Sequence, residues 1–258
     1  HNHIQQMAKK LNILKNDSWL EPYAAAIEGR HADAVRKEQQ LTGDTGSLSD
    51  FANAHRYFGL HRHGRYGWTF REWAPNATAI YLIGDFNGWQ QTPEYALHRI
   101  DDGPGGVWEA TFPPKAIRNG QRYKMMVHWH GGCGERIPAY ANRVVQDPDT
   151  HIFSAEVDAP HRHFTWTDAD FRPDTAPLLI YECHIGMAQQ KEDVGSYEEF
   201  RTNVLPRIAA DGYNAIQIMA IQEHPYYGSF GYHVSSFFAP SSRFGTAAEL
   251  KALVDDAH

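Results

Sequence analysis

The chain has 258 residues, of which 42% are hydrophobic and 21% charged, so it can form a sizeable core and is not expected to be disordered throughout. Its 31 acidic residues outnumber its 24 Lys and Arg residues and give a net charge of −7, which argues against binding to a nucleic-acid backbone. No apolar run approaches the roughly 18 residues that a membrane-spanning helix needs. The two cysteines, Cys133 and Cys183, form no disulfide framework and indicate a reducing, cytoplasmic location.

Residues 1–50 predict a polar helical segment. Apolar residues at helical spacing between Ile4 and Leu14 predict a first helix, and a second is predicted from about Pro22, a residue suited to a first helical turn. Glycine and polar residues from Gly43 to Ser47 then interrupt the pattern. Two short helices rarely form a core alone, so we expect this segment to pack on the residues that follow.

Residues 51–175 predict an antiparallel β-sandwich. Short β-prone runs recur at near-regular spacing and are separated by turn residues, which is typical of such a fold. The runs are Tyr66–Trp73, Ala79–Ile83, Val107–Phe112, Arg122–Val127 and Val144–Val145.

Residues 176–258 predict strands alternating with helices. The expected elements are a strand at Leu178–Cys183, a helix capped by Ser196 with Glu199 three residues on, a strand at Ala215–Ile221, and a helix capped by Thr246 with Glu249 three residues on. Two such units imply a parallel sheet. A closed eight-stranded (β/α)₈ barrel needs about 250 residues, so we expect only the beginning of one.

Several motifs resemble known families. Arg71–Pro75 followed by Gly84–Trp89 resembles the carbohydrate-binding module (family 48) that precedes the barrel in starch and glycogen enzymes. Tyr181–Met187 resembles the first barrel strand of the glycogen branching enzymes of glycoside hydrolase family 13. The segment Met219–Val234, with the residues up to Gly245, is similar to the branching form rather than to the debranching or amylase form.

This resemblance implies a helical N-terminal segment, an immunoglobulin-like glucan-binding sandwich and a truncated barrel. It implies cleavage of an α-1,4-glucan (glycogen, starch or malto-oligosaccharides) and transfer of the cut segment to a 6-hydroxyl, which creates an α-1,6 branch. No cofactor, nucleic acid or membrane partner is implied. Retaining transfer needs two carboxyl groups about 5 Å apart. The family's catalytic carboxylates are expected beyond His258, so this chain alone is expected to be inactive.

Five substrate-binding residues are carried over from the resemblance. Tyr232 is expected to stack under the sugar at the cleavage point, and His233 to reach the same sugar. In the sandwich, Trp89 and Lys124 match glucan-binding positions of related modules, and Trp129 lies close to another. The loop after Trp129 differs in length from those modules. Glu223 and His224 are expected to brace the loop that carries Tyr232.

Other interpretations stay open. Trp89 could be a buried corner residue, and Tyr232 a tyrosine that never touches sugar. Glu182 and His184, two positions apart on a strand, could perform acid–base chemistry or only support the barrel mouth. Three His-x-His pairs could bind zinc, but no complete ligand set accompanies them: His61/His63, His128/His130 and His161/His163.

The function also has alternatives. A non-catalytic glucan-binding protein and a debranching α-glucan hydrolase both share the sandwich. An incomplete barrel leaves strand edges and apolar helix faces uncovered. We therefore expect the C-terminal part to pack on the sandwich, to be mobile, or to self-associate with another copy of the chain.

Overall fold

The computed structural model describes residues 10–43, 46–100 and 105–258. The chain divides into two compact units, His1–Ala54 and His55–His258, which are described separately. Much of the helix predicted between Ile4 and Leu14 therefore lies outside the described residues. Within the three described ranges, no helix is long and apolar enough to cross a membrane.

The described part of the first unit is helical. It contains α1 (Asn12–Asn16), a 3-10 helix (Ser18–Tyr23), α2 (Ala24–Thr42) and α3 (Leu48–Phe51), and α4 (Ala54–Tyr57) crosses into the second unit. The predicted second helix begins at Ala24, because the side chain of Asp17 accepts the N–H of Trp19 and opens a 3-10 helix that includes Pro22. Gly43, with φ +67°, ends α2. Packing of this segment on the rest of the chain stays a prediction.

The strands of the next part of the chain are antiparallel, as predicted. They are β1 (Gly59–Arg62), β2 (Trp68–Trp73), β3 (Ala77–Gly84), β4 (His98–Arg99), β5 (Val107–Phe112), β6 (Arg122–Trp129), β7 (Gly132–Arg136), β8 (Val144–Gln146) and β9 (Phe153–Glu156). The five predicted runs correspond to β2, β3, β5, β6 and β8, and the other strands were not predicted. One sheet has the order β1-β2-β5-β4, and the other has the order β3-β6-β9-β8, with β7 paired to β6.

Alternating side chains of the two sheets form one core. Trp68 and Phe70 of β2 and Leu82 of β3 are at most 3% exposed and belong to the same apolar cluster. Successive strand residues point to opposite faces, so every second residue reaches this core. Ala239, far along the chain, joins the same cluster. The sandwich is therefore packed against part of the C-terminal segment.

The C-terminal segment contains a parallel strand pair, as predicted. β10 (Ile180–His184) pairs with β11 (Ala215–Met219), while β12 (Gln222–Glu223) pairs antiparallel with β13 (Ser236–Pro240). Between β10 and β11 run α5 (Tyr197–Glu199), a π-helical turn (Phe200–Val204) and α6 (Leu205–Ala210), and α7 (Ala247–Ala257) follows β13. The remaining 3-10 helices are Gly64–Tyr66, Asp85–Asn87, Pro93–Tyr95, Ile185–Met187, Tyr227–Ser229 and Ser242–Phe244.

Strand boundaries differ from the predicted ones for local reasons. β10 starts at Ile180, because the N–H of Leu179 donates to the side-chain Oδ1 of Asn214 at 2.7 Å and not to a strand partner. The main-chain N–H of Asn214 in turn donates to the Leu179 carbonyl at 3.1 Å. β11 stops at Met219, because Ala220 has φ +60° and cannot continue an extended strand. A second core forms around these strands and holds Cys183, Ile185, Tyr197, Phe200, Val204, Ile208, Phe244 and Leu253.

Candidate functional site

The ring of Tyr232 is 81% exposed on the loop that joins β12 to β13. The two residues before it both have left-handed backbone conformations, with φ +52° at Phe230 and +84° at Gly231. The N–H of Tyr232 donates to the carbonyl of Ser229 at 3.0 Å. The loop therefore turns sharply and projects the ring into solvent, beside the exposed His233. A free aromatic face of this kind can pack on the C–H surface of a sugar.

A buried carboxylate braces the base of this loop. Glu223 is 1% exposed, and its Oε2 accepts the N–H and the hydroxyl of Ser242 at 2.8 and 2.9 Å. Its main-chain carbonyl accepts the N–H of Ser235 at 2.9 Å. Because Ser235 and Ser242 lie on either side of β13, Glu223 ties both ends of that strand to β12.

His184, at the end of β10, lies among aromatic rings. It is 7% exposed, and neither ring nitrogen has a hydrogen-bond partner among the described residues. The rings of Tyr227 and Phe244 are 5.7 and 5.5 Å away. Burial, and after it the nearby His224, lower the pKa of His184. No hydrogen bond joins His184 to Glu182 within the described part, so the geometry offers no acid–base pair at this strand.

Trp89 occupies a strained turn at the end of β3. It is a half-buried residue with φ +63°, an uncommon conformation for a residue other than glycine. Its indole N–H donates to Oδ1 of Asp85 at 3.1 Å, and its main-chain N–H donates to the carbonyl of Gly84 at 2.9 Å. The indole is thus neither a fully buried corner residue nor a freely rotating one. It is held in place with part of its surface open.

Lys124 lies on the solvent-facing side of β6. Its side chain is 12% exposed, and its ammonium group donates to Oε2 of Glu135 at 2.8 Å. An ammonium group has three donors, so one ion pair leaves two for hydroxyl groups of a ligand. The carboxylate of Glu135 on β7 also holds the lysine in one direction.

Trp129 is packed on part of its surface. The guanidinium carbon of Arg136 lies 5.2 Å from the ring centroid, a cation–π contact. A β-carbon added at Gly132 would lie 3.1 Å from the indole nitrogen, so the backbone of β7 covers one side of the ring. The residue is still 36% exposed. The exposed part of Trp129 is therefore smaller than the exposed ring of Tyr232.

The structure joins the turn that carries Trp89 to the start of the strand that carries Lys124 and Trp129. Oδ2 of Asp85, the partner of Trp89, accepts the N–H of Arg122 at 2.7 Å, two residues before Lys124. Lys124 and Trp129 are five positions apart on β6 and therefore point to opposite faces of the sheet, about 17 Å apart along the strand. The turn that carries Trp89 therefore meets the end of β6 on which Lys124 lies, whereas Trp129 lies at the other end of that strand.

Sequence reasoning missed the residues that hold these side chains. The spacing of Asp85 and Trp89, four residues across a Gly-containing turn, is a local signal that could have indicated their bond. Glu135 and Arg136 carry no such signal, because they reach Lys124 and Trp129 only through the pairing of β6 with β7.

The histidine pairs do not assemble into a metal centre in the described ranges, where no group of three His, Cys, Asp or Glu side chains is arranged to hold a metal ion. Nε2 of His128 contacts Oε1 of Gln91 at 2.6 Å, and Nδ1 of His161 contacts Nη1 of Arg62 at 2.8 Å. Both cysteines are free. Burial raises the pKa of the Cys183 thiol to about 11, so that sulfur is not a ready nucleophile.

Comparison with known proteins finds a matching family and related sequences. Residues 57–148 match the model of the family described as Carbohydrate-binding module 48 (Isoamylase N-terminal domain). A 1,4-alpha-glucan-branching enzyme from Dictyostelium discoideum is 37% identical over 252 residues, which are 95% of this chain and 36% of that protein. One from Rhizophagus irregularis is 39% identical over 261 residues, or 99% of this chain and 38% of that protein.

The chain thus spans a little more than a third of the length of these relatives. Among solved structures, pullulanase type I from Bacillus subtilis str. 168, complexed with maltose, has a TM-score of 0.61 at 18% identity. The match covers 78% of this chain and 31% of that one, and at this identity it shows a shared fold only. The sequence is thus similar to 1,4-alpha-glucan-branching enzymes along at least 95% of its length, and its residues 57–148 match carbohydrate-binding module 48.

Proposed function

We propose that the whole protein cleaves an α-1,4-glucan and transfers the cut segment to a 6-hydroxyl, forming an α-1,6 branch. Similarity to branching enzymes along at least 95% of the chain carries this proposal. The largely exposed ring of Tyr232, on a loop held by Glu223, supports it. The chemistry requires no cofactor, and two carboxyl groups expected outside this chain would perform it with retention. The 258-residue chain alone binds glucan without turnover.

The binding roles fall on two surfaces. Tyr232 stacks on the sugar at the cleavage point, and His233 donates a hydrogen bond to the same sugar. On the sandwich, Trp89 supplies a fixed aromatic face and Lys124 its two remaining ammonium donors. Trp129 contacts glucan from a surface separate from that of Trp89 and Lys124. Simultaneous engagement of both surfaces raises the local concentration of substrate.

The proposed arrangement is a helical segment at residues 1–50, an immunoglobulin-like glucan-binding sandwich at 51–175, and the first strands of a (β/α)₈ catalytic barrel at 176–258. The protein acts in glycogen synthesis in the cytoplasm, where its two free thiols are stable. Leu178 and Leu179, 62 and 57% exposed, lie beside the start of β10. Through this apolar surface the chain alone self-associates, and analytical ultracentrifugation showing a monomer at all concentrations would contradict that.

Titration calorimetry with malto-oligosaccharides, combined with a branching assay on the same sample, tests the proposal. Binding without turnover is expected. Tyr232→Ala and Trp89→Ala should each weaken binding about two- to tenfold with an unchanged melting temperature, since aromatic contacts contribute about 0.5–1.5 kcal/mol beyond area burial. Tyr66→Ala removes an equally open ring, 77% exposed, and serves as the control that should change nothing.

Turnover by this chain would show that the catalytic groups lie within it. Absence of both binding and turnover would overturn the roles of Trp89 and Tyr232. A fall in melting temperature for Trp89→Ala, with binding lost in parallel, would indicate that its indole serves the fold.

A further inference from the structure

A cleft of about 960 Å³ in the second unit contains none of the five predicted glucan-binding residues. It lies between the sandwich and the start of α7 and is lined by residues from β1, from the segment that follows β9, and from α7 itself. Its volume falls in the range of sites for small organic molecules, roughly 300–1,000 Å³. It is therefore large enough for a ligand of the size of a substituted sugar.

The cleft is positively charged, although the chain as a whole has a net charge of −7. Four permanent cations line it, against two carboxylates: Arg62, Arg143, Arg162 and Lys251 against Glu156 and Asp158. Glu156 is already bonded to Arg143, at 2.9 Å. Within the residues described, Arg162 and Lys251 have neither an ion pair nor a hydrogen bond. With Arg143 paired to Glu156, the charges of Arg62, Arg162 and Lys251 are left to attract an anion, and Asp158 is the one remaining carboxylate among the residues that line the cleft.

One of the guanidinium groups is also held in position. Nη1 of Arg62, which can only donate, bonds to Nδ1 of His161 at 2.8 Å, and this arrangement leaves Nε2 as the N–H of the ring. The same guanidinium carbon lies 5.8 Å from the ring centroid of Trp68. Arg62 is therefore fixed by two contacts that leave its charge unneutralised, and His161 presents a further N–H donor.

Apolar surface completes the cleft. Phe238, 45% exposed, lines it and stacks on Tyr140 with a centroid distance of 4.4 Å and more loosely on His55 at 6.4 Å, so its ring is held in place. Leu60 and Pro240 add aliphatic wall. A site of this kind suits a ligand with an apolar face at one end and a compact anion at the other.

We propose that this cleft binds a phosphomonoester carried on a sugar. Arg62, Arg162 and Lys251 contact the phosphate, since guanidinium and ammonium groups form their strongest hydrogen bonds with such anions. The sugar lies against Phe238, as the flat face of an aromatic ring allows. The phosphate comes either from a free hexose phosphate or from an ester on the glucan chain. This site is separate from the Tyr232 and Trp89 surfaces and does not depend on them.

Titration calorimetry of the 258-residue chain with glucose 6-phosphate, glucose and inorganic phosphate tests the proposal. We expect saturable binding of glucose 6-phosphate that weakens as salt is added, and no saturation with glucose. The double variant Arg162→Ala/Lys251→Ala should weaken binding at least about tenfold, because each lost charge-assisted hydrogen bond contributes more than a neutral one.

Lys115→Ala/Arg118→Ala is the matched control, because it removes the same two charges from exposed positions outside the cleft and should leave binding unchanged. Equal losses in both double variants, or equal binding of glucose, would overturn the proposal. Inorganic phosphate binding as tightly as glucose 6-phosphate would overturn the sugar contact. If a phosphorylated malto-oligosaccharide binds more tightly than glucose 6-phosphate, the source of the phosphate is an ester on the glucan chain. If it binds equally or less tightly, the source is a free hexose phosphate. Unphosphorylated malto-oligosaccharides report on the proposed glucan site separately.

Discussion

Replacement of Gly231 by alanine tests whether the loop that carries Tyr232 depends on a close backbone contact. Gly231 has φ +84°, and a β-carbon there would meet the α-carbon of Ala220 and lie 2.6 Å from its β-carbon. Gly212 has nearly the same conformation, φ +88°, but its β-carbon would meet nothing within 4 Å. The pair of variants therefore separates the cost of the backbone conformation from the cost of the steric overlap.

Gly212→Ala should lose about 1–2 kcal/mol of unfolding free energy, the cost of a left-handed conformation for a residue with a β-carbon. Gly231→Ala should lose that amount and about 1–3 kcal/mol more, because backbone atoms of Ala220 cannot move aside as a flexible side chain would. For a unit of this size each kcal/mol corresponds to a shift of about 2–4 °C in melting temperature.

Differential scanning calorimetry measures the two melting temperatures, and malto-oligosaccharide titration measures the effect on Tyr232. Gly231→Ala should weaken binding because it displaces the following residue, and Gly212→Ala should not. If the two variants lose the same stability and bind alike, the contact with Ala220 does not shape the loop and the reasoning fails.

Three further substitutions test the second core and its helix cap. Burial lowers the pKa of His184, so the folded state disfavours its protonation, and the free energy of unfolding should fall as pH drops below about 6.5, by at most about 1.4 kcal/mol per pH unit. His184→Phe should remove this part of the pH dependence of the melting temperature. An unchanged pH profile in the variant would assign the dependence to other groups. Phe244→Ala, at a side chain with 0% exposure, should cost about 3–5 kcal/mol in urea unfolding, and a loss below 1 kcal/mol would mean that the core collapses onto the cavity. Thr246→Ala removes the oxygen that accepts the N–H of Glu249 and should lower the free energy of unfolding by about 1 kcal/mol, whereas Thr246→Ser keeps a hydroxyl and should retain most of that stability. Equal losses in the two variants would argue against the cap.

Helix starts were predictable because capping chemistry is local. Ser196 and Thr246 each accept the N–H of a glutamate three residues on, and both capping boxes are present. The interior of the helix after Ser196 was not predicted in detail. It includes a π-helical turn just before Pro206, a residue that lacks an N–H and whose ring would clash with the carbonyl four residues earlier in a regular α-helix.

The candidate site was predictable only in part. Tyr232 and Trp89 were found by resemblance, and the structure adds that each follows or occupies a left-handed turn, where backbone conformation directs the ring. That Lys124 and Trp129 point to opposite faces follows from strand alternation once β6 is known to run unbroken from Arg122 to Trp129. The ion pair of Lys124 with Glu135 required the register of β6 against β7.

What the sequence alone determined is the order and type of the main helices and strands, because alternation, helical spacing, caps and turns depend on residues within a few positions of one another. What only the tertiary structure decided is which distant side chains share a surface. Arg62 contacts His161, 99 positions along the chain, and both line a cleft with Lys251. Such contacts arise when the sandwich and the C-terminal segment bury a common apolar surface around Ala239, and no local pattern encodes them.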